Sequence, residues 1–393
     1  MNWKMKFGRN WGRLGMKSKL SDICSYRKEK IAVAELDRGN YISTENMLPD
    51  KNGVTTATSL PTTIQTQKYA KGDILVSNIR PYFKKIWFAD KNGGCSNDVL
   101  VFKTKEGTDP RYLYYVLAND PFFEYSMATA KGTKMPRGDK KALMEYEVPD
   151  YDLKEQNKIA GVLSAIDDKI QLNNKINKNL LKQAQSIFTQ EFLMFNRIPD
   201  GWKESSLLGI ADYLNGLAMQ KYRPKDNEQG LPVLKIKELR QGYCDFSSKL
   251  CSPSIKPEYI IHDGDVIFSW SGSLLVDLWC GGTCGLNQHL FKVTSSTYDK
   301  WFYYAWTKYH LQKFAAIAAD MATTMGHIKR EELSKAEVLI PSQSDYNRIG
   351  SLLAPLYELV ISNRIENRKL ASLRDELLPQ LMSGQLDVSE VPL

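Results

Sequence analysis

"EQNKIAGVLSAIDDKIQLNNKINKNLLKQ", residues 155–183, lies at the middle of the 393-residue chain and predicts a long helix. Its apolar residues recur at alternating intervals of four and three. This is the spacing of a coiled-coil seam, which is narrower than the apolar face of an ordinary core helix. Two asparagines, Asn173 and Asn177, occupy seam positions where leucine is usual. We therefore predict a helix that pairs with a second helix.

The two halves of the chain repeat each other with a period near 190 residues. The Gly-Asp pair at Gly72 recurs at Gly264, and the Tyr-Tyr pair at Tyr114 recurs at Tyr303. In each half, strand-like runs with turn residues come first and a short aromatic-rich helix follows. A proline-marked strand and a long helix end each half. We predict an α+β fold, built as a tandem duplication of one mixed α/β globular unit plus one long helix.

The second long helix repeats the asparagines of the first, at Asn363 and Asn367. A buried asparagine in a seam costs stability but fixes the register, because a slipped pairing leaves amides unpaired. We therefore expect Asn173, Asn177, Asn363 and Asn367 to set the register of a helix pair. In the alternative interpretation, each helix packs on its own domain and its asparagines face water. Pro355, inside the second helix, is expected to kink or delay it.

Composition and charge favour a polyanionic partner. The chain carries a net charge of +8, from 53 Lys and Arg against 45 Asp and Glu, together with 20 Tyr and 8 Trp. No apolar run approaches the roughly 20 residues of a membrane span, and the basic N-terminus lacks the apolar region of a signal peptide. Six cysteines in a chain of this length make no disulfide framework. We expect a cytoplasmic protein without a membrane partner.

The motifs of an enzyme are missing from the sequence. There is no Gly-Lys-Ser/Thr phosphate loop and no GxGxxG that opens a helix after a strand. All four histidines lie in the second half, so a function shared by both halves requires no histidine. Cys280, Cys284 and His289 form only a weak metal motif, and the first half offers only Cys95 nearby. We predict no catalytic residue and no metal ligand.

Basic, amide and aromatic residues on loops suit DNA recognition instead. Arg, Lys, Asn and Thr on glycine-flanked loops can reach phosphates and base edges. A solvated loop is the alternative for any one of them, but the set recurs in both halves. The candidates in the first half are Asn78, Arg80, Tyr82, Lys84, Lys85, Lys131, Thr133, Lys134 and Arg137. Those in the second half are Lys221, Tyr222, Arg223, Lys235, Lys237, Arg240, Thr323, Thr324, His327 and Lys329.

The helical stretches at residues 155–180 and 347–391 resemble the conserved regions of specificity (S) subunits of Type I restriction–modification enzymes. "LPQLMSGQLDVSEV", residues 378–391, is the most specific piece, and the resemblance covers the whole chain. It implies two target recognition domains, each reading one half of a bipartite DNA sequence, and an antiparallel pair of helices between them. The predicted boundaries are 1–152 and 196–342 for the recognition domains, 153–195 for the central helix and 343–393 for the C-terminal helix.

The resemblance also implies the partners of the chain. They are double-stranded DNA, two methyltransferase (M) subunits and two restriction (R) subunits. S-adenosylmethionine and ATP are expected on the partner subunits only, with no cofactor on this chain. Two alternatives remain at this point: the recognition module of a Type II methyltransferase–endonuclease system, and a coiled-coil scaffold that does not bind DNA.

The length of the central helix predicts a function for the helix pair. From Ile159 to Ile187 the seam covers 29 residues, or roughly 43 Å at about 1.5 Å per residue. That length corresponds to about one turn of DNA. We expect the helices to act as a ruler, so the target should be two short half-sites separated by a gap of unread base pairs.

Overall fold

The computed structural model describes residues 17–320 and 328–388. The chain divides into two compact units, the first comprising Met1–Asp168 with Ala371–Leu393 and the second comprising Lys169–Leu370. Each of the two long helices contributes residues to both units. The four segments predicted from the sequence remain a prediction.

The first half of the chain contains ten strands and five α-helices within the described residues. The strands are β1 (Lys17–Lys19), β2 (Cys24–Tyr26), β3 (Lys30–Ala32), β4 (Tyr41–Ile42), β5 (Gln65–Tyr69), β6 (Ile74–Ser77), β7 (Ile86–Phe88), β8 (Gly93–Cys95), β9 (Val99–Thr104) and β10 (Glu147–Pro149). The helices are α1 (Leu20–Ile23), α2 (Pro110–Ala118), α3 (Asp120–Ala128), α4 (Lys140–Met144) and α5 (Leu153–Phe192).

The second half repeats this order. Its strands are β11 (Lys203–Ser206), β12 (Asp212–Asn215), β13 (Leu231–Leu234), β14 (Leu250–Cys251), β15 (Ile260–Ile261), β16 (Val266–Ser269), β17 (Leu275–Leu278), β18 (Cys284–Leu286), β19 (Leu290–Thr294) and β20 (Glu337–Ile340). Its helices are α6 (Leu207–Ile210), α7 (Ile236–Gln241), α8 (Lys300–Asp320), α9 (Arg330–Ser334) and α10 (Gln343–Met382).

The sheets confirm the duplication. One antiparallel sheet has the order β2-β9-β6-β7 in the first half and β12-β19-β16-β17 in the second. A two-stranded ladder joins β1 to β10 and, in the same way, β11 to β20. In the remaining sheets, β8 lies between antiparallel β5 and parallel β4, and β18 lies between antiparallel β15 and parallel β13. The halves differ in the added edge strand, which is β3 beside β5 in one and β14 beside β13 in the other.

The repeated Gly-Asp pair builds the same turn in both halves. Gly72 has φ 91° and Gly264 has φ 87°, a left-handed conformation that favours glycine. Asp73 then accepts a hydrogen bond from the backbone N of Ala70 at 2.7 Å, and Asp265 accepts one from the residue three before it at 2.9 Å. Each turn opens a buried strand, β6 or β16. The turn therefore starts a central strand of the four-stranded antiparallel sheet in each half.

The aromatic-rich helix differs between the halves for a local reason. In the first half it breaks at Asn119 into α2 and α3, and Pro121 lies in the first turn of α3, where a proline ring is tolerated. His310 occupies the equivalent position of the second half, and α8, which is 21 residues long, continues through it without a break. The buried tyrosines Tyr115 and Tyr304 place both versions of the helix in the core of their own unit.

The two long helices each run for 40 residues, roughly 60 Å at about 1.5 Å per residue. Helix α10 begins at Gln343 and continues through Pro355, so the expected delay of this helix is wrong. A proline removes one backbone donor, and the rest of a long helix can hold the chain helical around it. No helix of the described residues combines the length and the apolar character that crossing a membrane needs.

The helices pair in antiparallel orientation within each unit. In the first unit, Asp167 of α5 accepts a hydrogen bond from Arg374 of α10 at 2.9 Å, and the Tyr151 hydroxyl, just before α5, donates to Leu381 O at 3.0 Å. In the second unit, Arg348 near the start of α10 donates two hydrogen bonds to Glu191 near the end of α5. Residues later in α5 thus contact residues earlier in α10, as the resemblance implies.

Candidate nucleic-acid interface

The structure joins the two groups of candidates in the first half. The first group lies on residues 78–85, the connection between β6 and β7, which we call the aromatic turn. The second lies on residues 131–137. The backbone N of Arg80 donates to Pro136 O at 2.8 Å, and Gly138 N donates to Asn78 O at 3.2 Å. Ile79 also forms a β-bridge with Arg137. The two segments therefore form one surface on the first unit.

Four basic candidates on this surface are held by internal partners. Lys84 Nζ donates to Asp120 at 2.8 Å, and Lys85 Nζ donates to Thr44 O at 2.6 Å. Burial lowers the pKa of Lys85.

The other two of these basic side chains lie on the second segment. Lys131 pairs with Asp139 at 2.5 Å, and this hydrogen bond is the main cause that lowers the pKa of Asp139 to about 2. Arg137 pairs with Asp98 at 3.2 Å. A phosphate contact from any of the four cations must therefore compete with a bond already made.

The remaining first-half candidates differ in exposure. Arg80, Tyr82, Thr133 and Lys134 are exposed, which leaves them accessible to a ligand. Asn78 is only 8% exposed, and its Oδ1 has no hydrogen-bond partner among the described residues. Gly138 leaves room for this amide, because a Cβ there would come within 2.9 Å of Asn78 Oδ1.

The candidates of the second half lie on three separate elements. Lys221 ends a 3-10 turn, and Tyr222 and Arg223 follow it; all three are exposed. Lys235, Lys237 and Arg240 lie on or beside α7, where Lys237 pairs with Asp245 at 2.9 Å. Lys329 is exposed and precedes α9. Thr323, Thr324 and His327 lie outside the described residues.

The sequence did not single out Trp270, which lies on the second-half connection equivalent to the aromatic turn. Its indole Nε1 donates to Asn215 Oδ1 at 3.0 Å, and its carbonyl accepts from Ile328 N at 2.9 Å. The connection between β16 and β17 is thus bonded to the residue next to Lys329, as the aromatic turn is bonded to Pro136. The register of the internal repeat was the signal that could have found it.

The four seam asparagines lie between the two helices rather than in water. Within the second unit, Asn173 Nδ2 donates to Asn367 Oδ1 at 2.8 Å, and Asn363 Nδ2 donates to Asn177 Oδ1 at 2.9 Å. Asn173 also donates to Glu366 at 2.7 Å. Asn173 is only 1% exposed. The seam positions were predictable from the spacing, and the role of the amides in setting the register remains a prediction.

Within the described residues, no group of three or more His, Cys, Asp or Glu side chains is placed to hold a metal ion. The thiol of Cys280 donates to Leu278 O at 3.6 Å, and His289 Nδ1 lies 3.1 Å from the Ser271 hydroxyl. Cys280 and His289, two of the three members of the weak metal motif, thus have separate partners.

A family model described as "Type I restriction modification DNA specificity domain" matches the chain twice, at residues 15–182 and 199–373. The two matches follow the two halves of the internal repeat. Each match covers one set of sheets and most of the long helix that follows it.

Curated relatives span most of the chain. The Type I restriction enzyme MjaIX specificity subunit of Methanocaldococcus jannaschii is 27% identical over 310 residues, which cover 73% of this chain and 71% of the relative. The Type I restriction enzyme HindI specificity subunit of Haemophilus influenzae is 20% identical over 400 residues, covering 80% and 87%.

A solved structure shares the fold. The crystal structure of the Type-I restriction–modification system S subunit from M. genitalium superposes with a TM-score of 0.60. It covers 97% of this chain and 99% of its own, at 16% sequence identity. At this identity, the likeness is evidence of fold alone.

Proposed function

We propose a function from one premise: this chain belongs to the family of Type I restriction–modification DNA specificity subunits. The chain gives a restriction–modification complex its DNA sequence specificity and assembles with other subunits and DNA. The observation that carries this conclusion is the specificity domain matched twice, on two halves with the same sheet order. One recognition domain serves each half-site of a bipartite target.

The chain itself performs no chemistry in this proposal. It directs methylation and cleavage by partner subunits, which bind S-adenosylmethionine and ATP. The absence of phosphate-binding and dinucleotide-binding motifs from the sequence supports this division of labour. The matches to specificity subunits favour this function over a Type II recognition module and over a scaffold that does not bind DNA.

Two M subunits and two R subunits complete the proposed complex. The internal repeat supports this number, because a duplicated chain offers each docking surface twice. The complex works in the cytoplasm, where its DNA target lies. The helix pair formed by α5 and α10 sets the number of unread base pairs between the half-sites.

Purified components test the division of labour. We expect no methyl transfer from S-adenosylmethionine to DNA by this chain alone. We expect no sequence-specific methylation by the M subunit alone. The mixture of the two should methylate one defined sequence, because recognition and chemistry lie on different subunits. Incorporation of labelled methyl groups into a plasmid, followed by mapping of the modified sites, measures both properties.

Methyl transfer by the single chain would contradict the proposal. So would methylation by the mixture without sequence preference. An M subunit from an unrelated Type I system is the matched control, since it supplies the same chemistry without a surface that matches this chain.

A further inference from the structure

The aromatic turn concentrates unusual backbone conformations. Among the described residues, five that are not glycine have a positive φ. Two of them, Arg80 (50°) and Lys84 (48°), lie in the aromatic turn, and two more, Asp50 (55°) and Lys51 (63°), lie on the segment bonded to it. Residues with a Cβ rarely adopt this conformation, because the side chain then crowds the backbone. Strained residues of this kind gather at ligand-binding sites, where the surrounding structure holds them in place.

The surrounding bonds hold the aromatic turn firmly. Asp50 N donates to Phe83 O at 2.9 Å, and Lys51 N donates to Lys84 O at 3.0 Å. Both lysines also donate to the carboxylate of Asp120, each at 2.8 Å. Two strained segments are thus bonded to each other through their backbones and to the first turn of α3 through one aspartate. Lys84, which the sequence predicted to bind DNA, therefore also supports the turn.

This rigid turn holds two aromatic rings in solvent. Tyr82 is 49% exposed and Phe83 is 38% exposed, and their ring centroids lie 4.7 Å apart at an interplanar angle of 50°. Pro81 is buried beneath them and begins the 3-10 turn that carries both rings. The two rings therefore present exposed aromatic surface on a turn whose backbone is held in place. Such a surface is available to a binding partner.

We propose that Tyr82 and Phe83 form a wedge that stacks on, and inserts between, the bases of the half-site read by the first recognition domain. Aromatic faces stack on any base, and apolar wedges inserted between base steps unstack and kink a duplex. The exposed cations Arg80 and Lys134 lie on the two joined segments of this surface, and their charge is opposite to that of the DNA backbone. The proposal rests on the proposed function, because it assumes that this surface faces DNA.

The wedge makes the first half-site sensitive to how easily one base step unstacks. Pyrimidine–purine steps deform at least cost, so specificity arises there without a hydrogen bond to a base. Phe83 and Tyr82 are then specificity-determining residues of this chain, and Asp50, Lys51 and Asp120 are positioning residues that act through them.

Base unstacking can be measured directly with the assembled chain and M subunits. The probe is a duplex that carries the target mapped from methylated DNA, with 2-aminopurine placed in turn at each adenine of the first half-site. We expect the fluorescence to rise on binding at one step of that half-site and at no step of a scrambled duplex. The Y82A/F83A variant should lose this rise and bind the target about tenfold more weakly per ring removed.

Two further variants separate the wedge from a general effect on folding. Phe246 is an exposed aromatic residue of the second unit, and F246A should leave the fluorescence and the affinity unchanged. Y82F/F83Y keeps both rings and should keep the fluorescence rise. An abasic site at the wedged step should strengthen binding by the unsubstituted chain and not by Y82A/F83A.

Each failure has its own signature. If the assembled chain binds the target specifically, fluorescence stays flat at every step and Y82A/F83A binds equally well, the wedge is wrong and the proposed function stands. If Y82A/F83A instead fails to associate with the M subunit without DNA, as measured by sedimentation, the rings contact protein and the wedge is also wrong. If no target can be mapped, it is the proposed function that fails.

Discussion

At the scale of single residues, the seam of the helix pair contains asparagine amides that hydrogen-bond to each other across the two helices. Asn363 Nδ2 donates to Asn177 Oδ1, whereas Asn177 Nδ2 and Asn173 Oδ1 have no partner among the described residues. A buried polar group without a partner costs roughly 1–3 kcal/mol, whereas removing both partners of a pair together can be nearly neutral. The seam therefore carries a stability cost for its register.

We predict opposite outcomes for single and double substitutions in this pair. N363L leaves the whole Asn177 amide buried without a partner and should lower the free energy of unfolding by about 1–3 kcal/mol. The double variant N177L/N363L removes both amides and should recover most of that loss. Urea denaturation of the three proteins measures the difference.

The matched control lies on the same helix. Asn347 is exposed at the start of α10, so N347L should change the stability by less than about 0.5 kcal/mol. If N363L and the double variant lose the same stability, the two amides do not pair in solution. That result would contradict the prediction that these asparagines set the register of the helix pair.

Residue-level partners were the part of the site that sequence could not give. Candidate positions such as Arg80 and Lys131 came from residue type and glycine-flanked context. That Lys84 bonds to Asp120 depends on a contact between residues 36 apart, which no local pattern encodes. The left-handed conformation of Arg80 was equally unpredictable, because local preference assigns it to glycine or asparagine.

At the scale of elements, the helices were predicted well and the sheets only in part. The 4-3 spacing predicted a helical seam from Ile159 to Ile187, and α5, which runs from Leu153 to Phe192, contains it. The repeat predicted matching strands, but their order depends on long-range pairing. Strand β4 (Tyr41–Ile42), for example, pairs in parallel with β8, which lies about fifty residues later in the chain. With only two residues, β4 is too short to show the alternation of polar and apolar residues that predicts a strand.

We predict that the helix pair sets the gap of the target. The two units divide after Asp168 in α5 and after Leu370 in α10. A heptad inserted at both points, between Lys169 and Ile170 and between Leu370 and Ala371, preserves both asparagine pairs. It lengthens the pair by roughly 10 Å, or about three base pairs of gap. Mapping of methylated sites measures the gap.

A heptad in only one helix is the control for this experiment. It mismatches the two seams, so it should lower stability and methylation without defining a new gap. A gap that stays unchanged after the matched insertion would show that the helices do not determine the spacing.

At the scale of the whole molecule, duplication explains why one chain reads two sequences. Each half builds its own sheets, and each unit has its own core, which includes Phe102 in the first unit and Phe268 in the second. Each also brings its own loops between equivalent strands. The loops differ between the halves, with Tyr82 and Phe83 in one and Trp270 in the other. A shared scaffold with different loops predicts two different half-sites read independently.

The most direct test of this account is to map methylated DNA by sequencing. Two samples are compared, each containing the M subunit. One contains the unsubstituted chain, and the other contains a chain whose first recognition domain, up to residue 152, comes from a relative. The unsubstituted chain should yield two short half-sites separated by a constant gap. The exchanged chain should yield one new half-site, with the other half-site and the gap unchanged. A continuous target, or an exchange that alters both half-sites, would contradict the account.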